Sequence, residues 1–316
     1  KLNNVVRRLT MYQRDAFIER IKENLKYDKD IYFLSADFGA PALDDLRKDY
    51  PNNFIHCGIS EQAMIDVAVG LALEGKKVFC YAMAPFLSMR ALEQIKCGPG
   101  IMNLPICLIS VGVGIGYCDS GPTHYVTEEY ACLRSIVGSN IYTASDAITA
   151  SNIAKRLLDY PEFSYVRLDR DELPDIYDER DTHTGQVRDV FVHNPREKDF
   201  KLLISHGKMA HVCKQISDSS SNFAFADILK SKPFPVDIEL TEQITKCDGI
   251  VVVDEQTPSG ALSSAVWEWT SKNGLFPKIK SVTLPETYVF ENGGREYLLN
   301  KNDLSKENII LQSQRF

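Results

Sequence analysis

The chain has 316 residues, enough for two domains of ordinary size, and its 44% hydrophobic and 25% charged content is that of a globular protein, which excludes a disordered or fibrous chain. With 43 acidic against 36 basic residues the formal net charge is -7, so nucleic acid and anionic membrane are not expected partners. No apolar run approaches the roughly 20 residues that span a bilayer, and the opening KLNNVVRRLTMYQRDAF lacks the apolar segment of a signal peptide, so a cytoplasmic location is expected.

Taken in chain order, apolar runs of strand length alternate with stretches of helical period. IYFLSA (31–36), FIHC (54–57), VFCYAM (78–83), ICLISVGVG (106–114), NIYTA (140–144) and FSYVRL (163–168) read as strands. Helices are expected after Glu61, from Phe86, near 127–137 and over 146–158. This alternation predicts a largely parallel sheet wrapped by helices. The charged stretch beginning at residue 169 marks a boundary, with a first α/β unit over 1–180, a linker over 181–199 and a smaller α/β unit over 200–316. In that second unit KLLIS, the helix following HGKMA, NFAFAD, FPVDIEL, GIVVVDE, a helix from Gly260 to about Lys272 and KIKSVTL again alternate strand and helix. The fold class is therefore α/β, two consecutive domains with largely parallel sheets.

The eight cysteines form no C-x-x-C pair and sit mostly in apolar runs, the pattern of reduced buried thiols. In parallel α/β sheets, ligands bind beyond the carboxyl ends of the strands, where loops lead into helices. Three stretches lie at such ends: Cys57 to Gln62, Met83 to Arg90, and Gly112 to His124. The third, SVGVGIGYCDSGPTH, is rich in glycine at an entropic cost that close approach to a ligand would explain. GVGIG does not have the G-x-G-x-x-G spacing of a dinucleotide fingerprint, and there is no Walker motif or metal-ligand spacing.

NFIHCGISEQ, APFLSMRALEQI and DSGPTH, in that order, resemble the pyrimidine-binding domain shared by transketolases, deoxyxylulose-phosphate synthases and the β subunits of 2-oxoacid dehydrogenases. The likeness continues through SYVRLDRDELP and VVVDEQTPSGALSSAVWEW, so it covers nearly the whole chain, and it is nearest to the shorter subunit of a split transketolase. It implies thiamine diphosphate as cofactor, with Mg2+. These enzymes hold the diphosphate and metal through a G-D-G segment followed by Asn, and no G-D-G occurs in this chain. A separate N-terminal transketolase-like subunit is therefore expected to supply those ligands, in a heterotetramer of two plus two chains acting on sugars or sugar phosphates, with no metal ligand here.

The resemblance makes Glu61 the catalytic carboxyl that hydrogen-bonds the aminopyrimidine ring and drives the tautomer needed for proton removal, in an apolar pocket that disfavours its charged form. Taken alone, an acid in a first helical turn also gains about 0.3 to 1 kcal/mol from the helix dipole. Phe86 is implied as the ring that stacks on the aminopyrimidine, or it is an ordinary core phenylalanine. Ile59, Tyr81 and Met83 are implied to line the same pocket. Arg90 faces a substrate channel or pairs with Glu93 on its own helix. His124 occupies the place of the histidine that contacts substrate oxygens and moves protons. The family's acid four residues before it is replaced by Ser120, with Asp119 one place earlier, and both are taken with the substrate residues. Arg170 matches the arginine that binds a substrate phosphate, against the plain alternative of a pair with Asp169 or Asp171.

The leading expectation is thus a subunit of a transketolase that moves a two-carbon ketol unit. The alternatives are the β subunit of a 2-oxoacid dehydrogenase and a non-catalytic scaffold descended from such an enzyme.

Overall fold

The structure, a computed structural model, describes residues 11–36, 41–178 and 188–315. Two sheets carry the architecture. The first is built from β1 (Ile31–Ser35), β2 (Phe54–His56), β3 (Lys77–Met83), β4 (Ile106–Val111), β5 (Asn140–Thr143) and β6 (Ser164–Leu168). These six strands run parallel to one another. They are wrapped by α1 (Gln13–Leu25), α2 (Pro41–Asp49), α3 (Glu61–Leu73), a π-helical turn over Phe86–Arg90 leading into α4 (Leu92–Ile95), α5 (Glu129–Ser135) and α6 (Ala147–Asp159). The second sheet holds β7 (Val190–His193), β8 (Lys201–Ser205), β9 (Phe223–Ile228), β11 (Gly249–Val253) and β12 (Ile279–Val282), in the order β12-β11-β8-β9-β7. Its helices are α7 (Lys208–Ser219), α8 (Ile238–Lys246), α9 (Leu262–Lys272), α10 (Arg295–Lys301) and α11 (Lys306–Gln314).

The central strands form because they are apolar without interruption, as burial on both faces requires. Every residue of β4 and of β6 is buried. Helix α6 is capped by Asp146, whose side chain accepts from the Thr149 backbone N–H while Thr149 returns a bond to the Asp146 N–H. The helix expected from Phe86 is broken into a π turn, the short α4 and a second π turn over Lys96–Gly100.

Two edge strands differ from the sequence reading. Within the stretch expected as linker, residues 190–193 form β7 and pair antiparallel with β9; residues 179–187 lie outside the described residues. The short β10 (Lys230–Lys232), from the C-terminal half, pairs antiparallel with β5 and completes the first sheet in the order β10-β5-β6-β4-β3-β1-β2. Lys232 then reaches the end of α5, where its ammonium donates to the carbonyls of Arg134 and Ile136. One continuous apolar core joins the two sheets, bringing Leu108 and Ile95 of the first half together with Ile204 and Val252 of the second. Cys80, Cys107 and Cys213 are buried, but Cys97 is exposed and the other four are half-buried. Among the described residues no helix is long and apolar enough to cross a membrane.

Candidate active site

Because β1 to β6 run parallel, their carboxyl ends open on one edge of the sheet, and the loops from four of them carry the residues singled out above. After β2 the chain turns at Cys57, whose carbonyl accepts the Ser60 hydroxyl at 2.6 Å, and α3 begins at Glu61. The Ser60 side chain makes no cap, so the first residue of α3 is placed by the turn and by packing of Met64 and Ile65 in the core. Glu61 is 2% exposed. Its Oε2 accepts from Arg90 Nη1 at 2.7 Å, and among the described residues Oε1 has no protein partner.

Arg90 therefore pairs with Glu61 and not with Glu93, and the Glu61 pocket is not purely apolar. The guanidinium also lies 4.2 Å above the centre of the Phe86 ring. Phe86 is half-buried and meets the His124 ring edge-on at 5.4 Å. The Thr123 hydroxyl lies 3.0 Å from His124 Nδ1. The Tyr117 ring stands 6.2 Å from His124, and the Arg170 guanidinium lies 4.7 Å above it. Arg170 then donates to Asp119 at 2.8 Å, and the Ser120 hydroxyl donates to the same carboxylate oxygen at 3.2 Å. The Arg170 hydrogen bond, foremost, holds the Asp119 carboxyl below the usual range. Residues from four loops thus form one line: Glu61, Arg90, Phe86, His124, Tyr117, Arg170, Asp119.

Three expected pocket residues stand apart from it. Tyr81 is buried beside Phe33, 6.1 Å away between ring centres, in the core packed under α1, α2 and α6. That is the opposite face of the sheet from α3, because side chains alternate along β3. Met83 ends the same strand, half-buried. Ile59 is 82% exposed on the loop before α3.

Tyr117 was not singled out by the sequence, although its position explains part of the glycine-rich loop. Gly112 has φ +84°, and a Cβ there would fall 2.0 Å from the Tyr117 ring. Gly114, at φ +62°, lies against the Glu255 carboxyl, where a Cβ would come within 2.8 Å. The glycines accommodate close approach by this chain's own side chains. The same loop sends Ile115 and Tyr125 into the core of the second unit.

Beneath the line, two buried ion networks bind the halves. Arg295 of α10 donates to Glu255 at 2.9 and 2.6 Å and to Asp169 at 2.6 Å. Arg167 of β6 donates to Glu129 at 2.8 Å and lies 3.0 Å from His206, which in turn is 3.1 Å from Asp254. Burial lowers the His206 pKa, with Asp254 opposing it.

The transketolase pyrimidine-binding domain model matches residues 10–175. The chain belongs to that family. Within this pyrimidine-binding family, the chain is 29% identical over 304 residues to one of the subunits of apulose-4-phosphate transketolase from Phocaeicola vulgatus, covering 93% of this chain and 95% of the relative. It is 25% identical over 298 residues to a putative transketolase C-terminal section of Methanocaldococcus jannaschii, covering 94% and 93%. Among solved structures, a split-gene transketolase described as an inactive β4 tetramer superposes with a TM-score of 0.82 at 24% identity, over 96% of this chain and 98% of that one, which establishes a shared fold.

The side chains of this family member fit the aminopyrimidine end of thiamine diphosphate: a buried carboxyl, one oxygen of which has no partner among the described residues, beside a half-buried aromatic ring. Among the described residues no group of three or more His, Cys, Asp or Glu is arranged to hold a metal ion.

Proposed function

We propose that this chain is the pyrimidine-binding subunit of a thiamine-diphosphate-dependent transketolase that moves a two-carbon ketol unit between sugars or sugar phosphates. The observation that carries this reading is the gathering of Glu61, Phe86, His124 and Arg170 at one sheet edge of a chain without a G-D-G segment. The cofactor, when bound, supplies a thiazolium carbon that stabilises negative charge on the transferred unit.

Glu61 would hold the aminopyrimidine through Oε1 and share a proton with the ring, in a site where burial strengthens that bond. Phe86 would give the ring an apolar face without competing for its hydrogen bonds. His124, whose Nδ1 has Thr123 as neighbour, is placed to bond substrate oxygens and carry a proton. Arg170 presents a guanidinium fork for an anionic group such as a phosphate, once Asp119 yields it.

The protein groups that hold the diphosphate and Mg2+ would come from a separate polypeptide. The relatives, one named as a single subunit of its transketolase and the other as a C-terminal section, support that division. The exterior supports assembly too. Helix α3 is apolar on both sides, leaving Val67 and Leu73 exposed beyond Met64, Ile65 and Ala68, and Trp267 is exposed on α9. A two-plus-two arrangement would cover such faces. Calorimetric titration with thiamine diphosphate and Mg2+ tests the reading. Weak binding to this chain alone, tight binding to the reconstituted pair, and ketol transfer from a panel of ketose donors are expected. Tight binding by the isolated chain, or no transfer by the pair, would overturn it.

A further inference from the structure

Arg90 covers the Phe86 face an aminopyrimidine would need and bonds the carboxyl of Glu61 through its neighbouring oxygen, Oε2. A planar heteroaromatic ring held in this site must hydrogen-bond the Glu61 carboxyl and lie on the face of Phe86. The Arg90 guanidinium, itself planar and a hydrogen-bond donor, sits 2.7 Å from Glu61 Oε2 and 4.2 Å over the Phe86 ring. We infer that Arg90 is an internal stand-in for the cofactor ring, and that cofactor binding displaces its guanidinium from Phe86. This deepens the function proposed above and rests on it.

Three features favour such an exchange. Arg90 is the last residue of the π-helical turn that begins at Phe86, so ring and guanidinium are held by the same five residues and a change of side-chain torsions separates them. Its side chain is 42% exposed, whereas that of Glu61 is 3% exposed, so the arginine has a solvent path and the carboxylate does not. A buried carboxylate left without a partner is costly, which makes a partner for Glu61 necessary whenever the ring is absent. The guanidinium meets that need and keeps the pocket from collapsing onto Phe86. In exchange, the cofactor must compete with a tethered group, and its apparent affinity scales with the fraction of chains in which Arg90 is not seated.

The test uses the reconstituted complex with its diphosphate-binding subunit, in wild-type, Arg90→Met and Arg90→Lys forms. Dissociation constants and association rates for thiamine diphosphate with Mg2+ are measured by calorimetry and stopped flow. Inorganic pyrophosphate with Mg2+, which has no pyrimidine, is the probe for the other end. Arg90→Met, which keeps an apolar stem but loses the planar donor, is expected to bind thiamine diphosphate about tenfold more tightly with faster association, a change of about 1.4 kcal/mol. Arg90→Lys is expected to fall between it and wild type, and pyrophosphate affinity to be equal in all three. Equal or weaker thiamine diphosphate binding by Arg90→Met overturns the inference while leaving the proposed function in place. If that variant fails to assemble, by the pyrophosphate measurement, the same reading is taken from Arg90→Lys. A wild-type complex that binds pyrophosphate but no thiamine diphosphate overturns both.

Discussion

Arg295 and Glu255, forty positions apart in the chain, form a two-pronged ion pair through Nε and Nη2 with both side chains buried, and the third guanidinium nitrogen, Nη1, continues to Asp169 of the first unit. Glu255 in turn fills the space against Gly114. Burial pushes the Glu255 pKa up while Arg295, with a smaller contribution from Lys208, draws it back, so the carboxyl depends chiefly on Arg295. Arg295→Met should leave Glu255 and Asp169 as buried, uncompensated acids. The expected loss is about 3–5 kcal/mol of stability, read from the urea midpoint. Glu255→Gln should cost less, because Arg295 keeps Asp169 and Asp171. Equal losses in the two variants would show that the pair is not asymmetric in this way.

Glu61→Gln is expected to leave the thermal transition near that of wild type and to slow exchange of the thiazolium proton in the reconstituted enzyme by about 10²–10⁴-fold, the usual range for a lost general acid-base group. The amide keeps the shape and one acceptor but cannot share the proton. Exchange at the wild-type rate would return Glu61 to a role at the helix terminus.

Tyr117→Leu should loosen two residues at once, since the ring contacts His124 and supports Arg170. Loss of a cation–π contact of about 0.5–1 kcal/mol predicts a KM for a phosphorylated ketose raised about two- to fivefold, with a smaller change in kcat. A fall in kcat alone would mean that only His124 depends on the ring.

Asp227 supplies a pH dependence unconnected with catalysis. It is fully buried and accepts from Ser145 at 2.9 Å and Tyr177 at 2.8 Å. Burial pushes its carboxyl up to about 7, with the two hydroxyls opposing and Asp146 adding repulsion. The folded state therefore holds this proton more tightly than the unfolded chain, whose carboxyl titrates near the ordinary 3.8. Stability from this group is full below that value and is lost as pH rises toward about 7. Between pH 5 and 8 the wild type should lose on the order of 2–3 kcal/mol that Asp227→Asn does not. Parallel stability profiles for the two proteins would refute the assignment.

The strands of the parallel core were legible because burial on both faces writes them as unbroken apolar runs, as in ICLISV and GIVVV. Residues 230–232, Lys-Ser-Lys, carry no such pattern, so β10 could not be read; its place depends on partners in β5 some ninety positions earlier. The sequence reading does not include helices α1, α10 and α11, although Phe17, Ile18, Ile21 and Leu25 are buried along α1. At the site, Glu61, Phe86, His124 and Arg170 each belong to a short motif following a strand, which local pattern can mark. Arg90 and Glu61 lie 29 residues apart, and Arg295 and Asp169 lie 126 apart. Pairings at such separations leave no periodicity or spacing to read, and neither does the meeting of Tyr117 with Gly112.

The insertion of β10 beside β5 has a consequence for how the molecule is made. During synthesis the first sheet cannot close that side until residue 232 has emerged, well after the second sheet has begun to form. Until then β5 presents bare amide and carbonyl groups, a template for another chain. The same arrangement means that a fragment ending near residue 180 would be sticky along that margin, so neither half of this polypeptide is a self-contained building block that can be cut away and reused.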